Sequence, residues 1–237
     1  MKLSRLSKFV LGGILWGWAF SFFAVFLEPT PENFTLAVSI TLSGLYTGLL
    51  YLTRNLWLRK LSKSPIVNAI LLGSFNAAVI ETLFLLVEKV FGASGVAAHP
   101  NLLIDLLITM PWYIGLVWIF VKVQNEERFP LGAVLLLGAI YEMGADGIVG
   151  GVLMPALIGT PVNLVEFLVL SALAAFWQFI PVYSSIILPP AWVLETSEPV
   201  KRAGKKRWGR AFLPLLLLIP FSIYLILVIL AISSFSG

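Results

Sequence analysis

The sequence predicts an all-α integral membrane protein, a bundle of seven transmembrane helices with its N-terminus in the cytoplasm and its C-terminus outside. Hydrophobic residues make up 59% of the 237 positions and charged residues only 12%, whereas a soluble domain has about 45–50% and about 25%. The apolar residues form seven segments, each long enough to cross a hydrocarbon core that requires about 20 residues. Lysine and arginine are concentrated in alternate connections between those segments. Together these observations exclude a compact soluble fold.

The seven predicted helices are separated by connections rich in proline, glycine or charge, which is typical of turns and exposed loops. The N-terminal basic residues precede a long apolar run with no small-residue cleavage site before Glu28. We therefore interpret that run as a retained first helix rather than a signal peptide. The whole chain, 1–237, is predicted to form one transmembrane domain. Its helices lie near 9–27, 33–53, 65–90, 101–122, 131–157, 162–190 and 211–234.

The distribution of positive residues predicts the orientation of the chain. With the N-terminus inside, 15 of the 16 lysines and arginines fall in the cytoplasmic segments, and only Lys89 lies near the outer side. Positive residues are enriched in the cytoplasmic loops of membrane proteins, and an error of one helix would destroy this alternation. We therefore predict a multi-pass protein of the cell (plasma) membrane.

The scarcity of metal-binding and nucleophilic residues narrows the chemistry. The chain has no cysteine, which excludes disulfides, cysteine-ligated zinc, iron–sulfur clusters and thiol nucleophiles. Its single histidine, His99, excludes multi-histidine metal sites and haem held by paired histidines. The net charge of +4 gives no indication of a nucleic-acid partner, because lysine and arginine in a membrane protein mark the ends of helices. No cofactor and no catalytic residue is predicted, although a hard divalent cation would be compatible with the acids described next.

Two carboxylates stand four residues apart in the fifth predicted helix. A spacing of i, i+4 places Glu142 and Asp146 on one face of a helix, one turn apart. Four glycines in the same eleven-residue stretch, 141–151, allow another backbone to approach closely or the helix to break. Because ionisable residues inside a bilayer are costly, the pair indicates a functional site.

Other acids fall at a similar depth, between the midplane of the membrane and its outer face. Glu81 lies on the third predicted helix, Asp105 on the fourth and Glu166 on the sixth, and no lysine or arginine stands among them in the apolar segments. Buried carboxylates without a basic partner must be protonated, hydrogen-bonded, hydrated or bound to a cation. The predicted solute- or ion-binding site consists of Glu142, Asp146, Glu81, Asp105, Glu166 and Asn76.

The second predicted helix carries a face of hydroxyl groups. The residues that form it recur every four positions and are Thr35, Ser39, Ser43, Thr47 and Tyr51. One interpretation is hydrogen bonding and close packing between helices, which small hydroxyl residues often provide in membranes. The other is the wall of a hydrated pathway. The residues predicted to line such a pathway are Ser39, Ser43, Thr47, Tyr113 and Gln178.

The acidic cluster leads to three hypotheses of different classes. The first is a transporter or channel-like protein for a small solute or cation, with protons as the simplest coupling species because the acids lack fixed counter-charges. The second is an integral membrane enzyme that uses a divalent metal on a lipid or prenyl substrate. We favour enzymatic activity less, because the sequence has neither a paired Asp-rich motif nor a catalytic histidine set. The third is a non-catalytic subunit of a membrane assembly.

Two further features predict partners. The segment Lys201–Arg210 has six basic residues in ten, which suits anionic lipid headgroups at about 1 kcal/mol per charge. Its role in setting the topology would by itself explain that composition. Gly147 and Gly151 form a Gly-x-x-x-Gly pair, a general signal of helix contact through which we predict an oligomer contact.

Overall fold

The computed structural model describes residues 4–61, 64–157, 159–196 and 207–235. Every element in these ranges is helical, and no strand is present among them, so the predicted all-α class is confirmed. Seven helices in the described ranges are long and apolar enough to cross a membrane, as predicted. They are α1 (Arg5–Leu27), α2 (Pro31–Leu58), α3 (Pro65–Phe91), α4 (Leu102–Glu127), α5 (Leu131–Leu157), α6 (Leu164–Glu195) and α7 (Trp208–Ala231).

The starts of the helices follow from local sequence. The Thr30 hydroxyl accepts a hydrogen bond from the backbone N–H of Asn33 at 3.2 Å, and Pro31 occupies the first position of α2. Ser64 and Pro65 have the same roles at the start of α3. Threonine and serine satisfy backbone donors that have no partner within the helix, and proline has no donor to lose at that position. These helices therefore begin where the sequence supplies a cap followed by a proline.

The sixth helix forms the centre of the bundle. Every residue from Ile180 to Leu194 in α6 is buried, and the helix packs against α1, α2, α3 and α5. In contrast, α7 lies at the periphery, where it contacts α4 and both the α-helical and the π-helical part of α5. It begins as a 3-10 helix, Trp208–Leu217, and continues as an α-helix. Helices α1 to α5 are thus arranged around α6.

Prolines within the helices leave backbone carbonyls that neighbouring helices contact. Proline has no N–H, so the carbonyl four residues before it loses its usual donor. Pro190 frees the carbonyl of Ile186 in this way, and a Cβ atom built on Gly73 of α3 would lie only 3.1 Å from that oxygen. Pro111 frees the carbonyl of Leu107, which accepts a hydrogen bond from the Tyr224 hydroxyl at 2.5 Å. Glycine and tyrosine of neighbouring helices therefore occupy the positions that proline leaves open.

The fifth helix departs from the regular α-helix on which the spacing argument was based. It is α-helical from Leu131 to Glu142, and π-helical from Met143 to Leu153. A π-helix has a wider turn, and short π segments often occur at functional sites. The transition falls directly after Glu142, within the glycine-rich stretch. Glu142 and Asp146 consequently stand on either side of the point where the helix widens.

Candidate functional site

A cavity of about 110 Å³ lies within the bundle, lined by residues of α2, α3, α4, α5 and α6 and by one residue of the α3–α4 connection. The polar side chains that line it are Glu81, Tyr113, Glu142, Asp146 and Gln178. The apolar ones are Leu36, Ile40, Ile80, Phe84, Val96, Phe179 and Val182. Because a single water molecule needs about 10–15 Å³ of such space, the cavity has room for several waters or one small solute.

Glu142 is the most enclosed acid of the cavity. Its exposed fraction is only 3%, and its polar neighbours are Asp146 and the hydroxyl of Tyr183. Its Oε2 atom has no hydrogen-bond partner among the described residues. Buried polar atoms in folded proteins almost always have a partner, so an unpartnered carboxyl oxygen at a cavity indicates a ligand or a proton at that position.

Asp146 lines the same cavity with an exposed side chain, in contrast to Glu142. It lies in the first turn of the π-helical segment, where the backbone also packs closely against α7. A Cβ atom built on Gly144 would lie 2.8 Å from Leu218 Cδ1. The small glycine therefore allows α5 to approach α7 at the level of the acidic pair.

Glu81 is held by a tyrosine of the next helix. The Tyr113 hydroxyl donates to Glu81 Oε1 at 2.5 Å, and Tyr113 is almost fully buried. Gln178 is anchored in a similar way, because its Nε2 donates to the Ser21 hydroxyl of α1 at 2.9 Å. Two of the polar groups around the cavity therefore have fixed orientations, whereas Glu142 retains an unused oxygen.

The cavity contains acids without bases. None of the described residues that line it is a lysine, an arginine or a histidine. Within the described part of the chain, no three acidic, histidine or cysteine side chains converge into a group that could hold a metal ion. The arrangement can therefore exchange protons or attract a cation, and it offers no preassembled set of metal ligands.

Two of the predicted site acids lie outside the lining of this cavity. Asp105 is fully buried, and its Oδ1 accepts a hydrogen bond from the backbone N–H of His99 at 3.1 Å. It thereby holds the α3–α4 connection, which contributes Val96 to the cavity. Glu166 is exposed and accepts a hydrogen bond from Asn163 Nδ2 at 3.3 Å, while its N–H donates to Asn163 Oδ1 at 3.2 Å. The sequence Asn-x-x-Glu at the start of a helix is a capping signal, and it predicts these two hydrogen bonds between Asn163 and Glu166.

In the predicted hydroxyl face of α2, Thr35, Ser39 and Ser43 are buried and Thr47 is half-buried, whereas Tyr51 is exposed. Thr47 and Ser184 of α6 share a hydrogen bond at 2.6 Å, and the Ser43 hydroxyl donates to the carbonyl of Ser39 at 2.8 Å. Asn76 Oδ1 likewise accepts a hydrogen bond from the Tyr46 hydroxyl at 2.8 Å. None of Ser39, Ser43, Thr47 and Asn76 lines the cavity. This geometry favours the interpretation as a helix contact, and the pathway role of these residues stays a prediction.

Tyr183 is a neighbour of the site that the sequence interpretation did not single out. It is fully buried, its hydroxyl accepts a hydrogen bond from Trp112 Nε1 at 3.1 Å, and it is adjacent to Glu142. The signal in the sequence that could have identified Tyr183 is its position inside the sixth predicted helix, five residues after Gln178. A tyrosine hydroxyl in the middle of such a segment needs a polar partner.

The two predicted partner surfaces are the glycine pair of α5 and the basic segment Lys201–Arg210. A Cβ atom built on Gly151 would lie 3.3 Å from Phe167 Cε2, and one built on Gly147 would lie 3.7 Å from Phe167 Cζ. The glycine pair thus faces α6 of the same chain, and the oligomer contact stays a prediction. In the segment Lys201–Arg210, residues 201–206 lie outside the described residues. Arg210 pairs with Glu126 and Glu127 of α4, and the binding of lipid headgroups stays a prediction.

Comparisons with protein-family models, with curated proteins and with solved structures found no match to this chain. The architecture itself defines the broad class. Seven candidate membrane-spanning helices fit a multi-pass membrane protein. Within that class, the particular feature of this chain is a cavity lined by three carboxyl groups, one from α3 and two from α5.

Proposed function

We propose that this chain is a membrane transporter or channel-like protein for a small solute or cation, with Glu142, Asp146 and Glu81 as its central site. The observation that carries the proposal is the unpartnered Oε2 of Glu142, which is buried at a cavity shared with two other carboxyl groups. An ionisable residue inside a membrane protein is by default a candidate for a substrate or ion pathway. The lack of a basic residue in the described lining of the cavity supports the same conclusion.

Protons are the simplest coupling species for such a site. A buried carboxyl group without a basic partner is stable as the neutral acid or as the carboxylate with a bound cation. Arrival of a cation therefore releases a proton, and departure of the cation requires one. That exchange links the occupancy of the cavity to the pH on the side from which it is reached.

We also propose that the cavity faces the outside of the cell membrane. In the N-terminus-inside orientation, the start of α2 and the α3–α4 connection lie on the outer side. Leu36 belongs to the first turns of α2 and Val96 to that connection, and both line the cavity. The positive residues at the opposite end, which include Arg54 and Arg128, support the same orientation.

Flux measurements on the purified protein in liposomes test the proposal. The variants Glu142→Gln and Asp146→Asn keep the side-chain shape and remove the titratable group, so we expect each to lose pH-dependent flux by at least about tenfold. Glu28→Gln is the matched control, because Glu28 is an exposed acid in the α1–α2 connection. Flux that is unchanged in both cavity variants would overturn the proposal. A stoichiometric divalent metal that survives dialysis would instead support the enzyme hypothesis.

A further inference from the structure

We propose that the cavity binds a compact organic cation, an alkylammonium ion, in exchange for protons. This inference rests on the proposed function and names the substrate class of the same site. It follows from the combination of acidic groups on one part of the cavity wall with apolar and aromatic groups on the rest.

The walls of the cavity are unlike those of a site for an inorganic cation. Mg²⁺ requires about six oxygen ligands in an octahedron, and Ca²⁺ takes about six to eight. Seven of the twelve lining side chains here are apolar. Among the described residues, Glu81, Glu142 and Asp146 do not form a group that could hold a metal ion. A metal ion in this cavity would find too few oxygen ligands to replace its water. It would have to remain hydrated against an apolar wall, which is unfavourable.

An alkylammonium ion matches both parts of the wall. Its methyl or methylene groups are apolar and bury well against Ile80 and Val182, which line the cavity. Its positive charge is attracted to the faces of aromatic rings, and Phe84 and Phe179 both belong to the lining. The carboxyl groups then supply the negative charge that a desolvated cation needs.

Glu142 is the group that gives the cavity its preference for a positive charge. The carboxyl of Glu81 already accepts a hydrogen bond from Tyr113, whereas Oε2 of Glu142 is buried without a partner in the described structure. A cation in the cavity would compensate the charge of the Glu142 carboxylate, and the proton of the carboxyl group would leave to solvent. The exchange is balanced in charge, since one proton departs for each monovalent cation that binds.

The size of the cavity limits the ligand. About 110 Å³ accommodates a compact ion and excludes long-chain or polycyclic cations unless the helices separate. Small ammonium ions are therefore the class for which the existing geometry is suited. A neutral molecule of the same shape fits the space but supplies no positive charge to compensate the Glu142 carboxylate.

Thermal-stability titrations of the purified protein test the ligand class directly. The probes are tetramethylammonium, the similarly shaped neutral 2,2-dimethylpropan-1-ol, and sodium at the same ionic strength. We expect tetramethylammonium to raise the melting temperature in a saturable manner, and the neutral molecule and sodium to have no such effect. A saturable shift with sodium alone, or with the neutral molecule to the same extent, would overturn the inference.

Two variants separate the charge from the aromatic wall. We expect Glu142→Gln to weaken tetramethylammonium binding by at least about tenfold, because it removes one partner of a buried charge pair. Phe84→Leu keeps an apolar wall and removes one ring, so we expect a loss of about two- to fivefold. Glu28→Gln is again the control and should bind like the unaltered protein. Equal affinity in all four proteins would contradict the assignment of the cavity.

Calorimetry in buffers of different ionisation enthalpy measures the proton exchange. We expect a release approaching one proton per bound tetramethylammonium, and no release would overturn the exchange. This experiment also distinguishes the two proposals from each other. A pH-dependent flux that depends on Glu142, together with no binding of tetramethylammonium, would overturn the ligand class and leave the transport proposal standing. Binding without any flux would overturn transport alone.

Discussion

The two ends of the bundle contain carboxyl groups that are buried to the same degree but are neutralised differently. Where α4 ends and α7 begins, Glu127 has an exposed fraction of 5% and pairs with Arg210 at 3.0 Å. At the cavity, Glu142 has an exposed fraction of 3%, and no basic side chain is present in the described lining. Equal burial therefore has opposite consequences. Glu127 connects α4 with α7 through its pair with Arg210. Glu142 has no basic side chain in the described lining, so its charge requires a bound proton or cation.

Further contacts at the end of α4 and the start of α7, called the paired end here, support this contrast. Arg210 also contacts Glu126, and the backbone N–H of Arg207 donates to Glu127 Oε2 at 3.0 Å. Replacing Glu127 removes one of the two carboxylates that pair with the partly exposed guanidinium of Arg210. Replacing Glu142, which has no basic side chain beside it in the described lining of the cavity, breaks no ion pair. Substitution of the same residue type by its amide should therefore affect stability at one end and activity at the other.

The largest effect on stability is expected at the paired end. Glu127→Gln removes one of the two charges that pair with Arg210, and that pair connects α4 with α7. We expect the melting temperature of the purified protein in detergent to fall further for Glu127→Gln than for Tyr113→Phe or Glu142→Gln. Glu28→Gln should melt like the unaltered protein. A melting temperature equal to that of the control would show that the ion pair does not stabilise the bundle.

An intermediate effect is expected where a fixed hydrogen bond meets the cavity. Tyr113→Phe removes the donor to Glu81 Oε1 but keeps the ring, so we expect a loss of about 1 kcal/mol in unfolding free energy. For a chain of this length, that corresponds to a melting temperature lower by about 2–4 °C. Flux in liposomes should also fall, because Glu81 loses its fixed orientation. Unchanged stability and unchanged flux together would contradict the role of this contact.

The smallest effect on stability is expected for Glu142, whose Oε2 has no partner among the described residues. Glu142→Gln breaks no fixed ion pair and keeps the side-chain shape, so we expect the unfolding free energy to fall by less than the loss of about 1 kcal/mol expected for Tyr113→Phe. The same variant is expected to lose pH-dependent flux. Chemical denaturation and the liposome assay on one preparation measure both quantities. A loss of stability as large as that of Glu127→Gln would remove the distinction between the two ends.

The number and approximate limits of the helices could be predicted because they depend on local sequence. Hydropathy over about 20 residues is enough to find a segment that crosses a membrane, and caps such as Thr30 followed by Pro31 define where a helix begins. The structure extends α2 to Leu58, beyond the predicted limit of 53, because a charged residue such as Arg54 limits the stretch that crosses the bilayer and does not by itself end a helix. Local signals therefore identify the elements better than their last turns.

The composition of the cavity could be predicted only in part, because depth along a helix says nothing about rotation around its axis. The structure brings Glu81, Glu142 and Asp146 to one cavity. Asp105 lies at a predicted similar depth, but its side chain turns to the α3–α4 connection instead. Glu166 remains exposed at the first turn of α6. Which way each residue faces depends on packing between distant segments, and a single sequence carries little information about that.

The contacts between proline-freed carbonyls and neighbouring helices have a consequence for how the chain is made. Isolated in lipid, α6 would expose the carbonyls of Trp177 and Ile186 to hydrocarbon, where a polar group without a partner is costly. Gly17 and Gly73 of α1 and α3 pack against these two positions. Both glycines leave the ribosome before α6 does, so the surfaces that shield its backbone are already in the bilayer when it is inserted. The helices that shield the backbone of α6 are therefore synthesised before α6 itself.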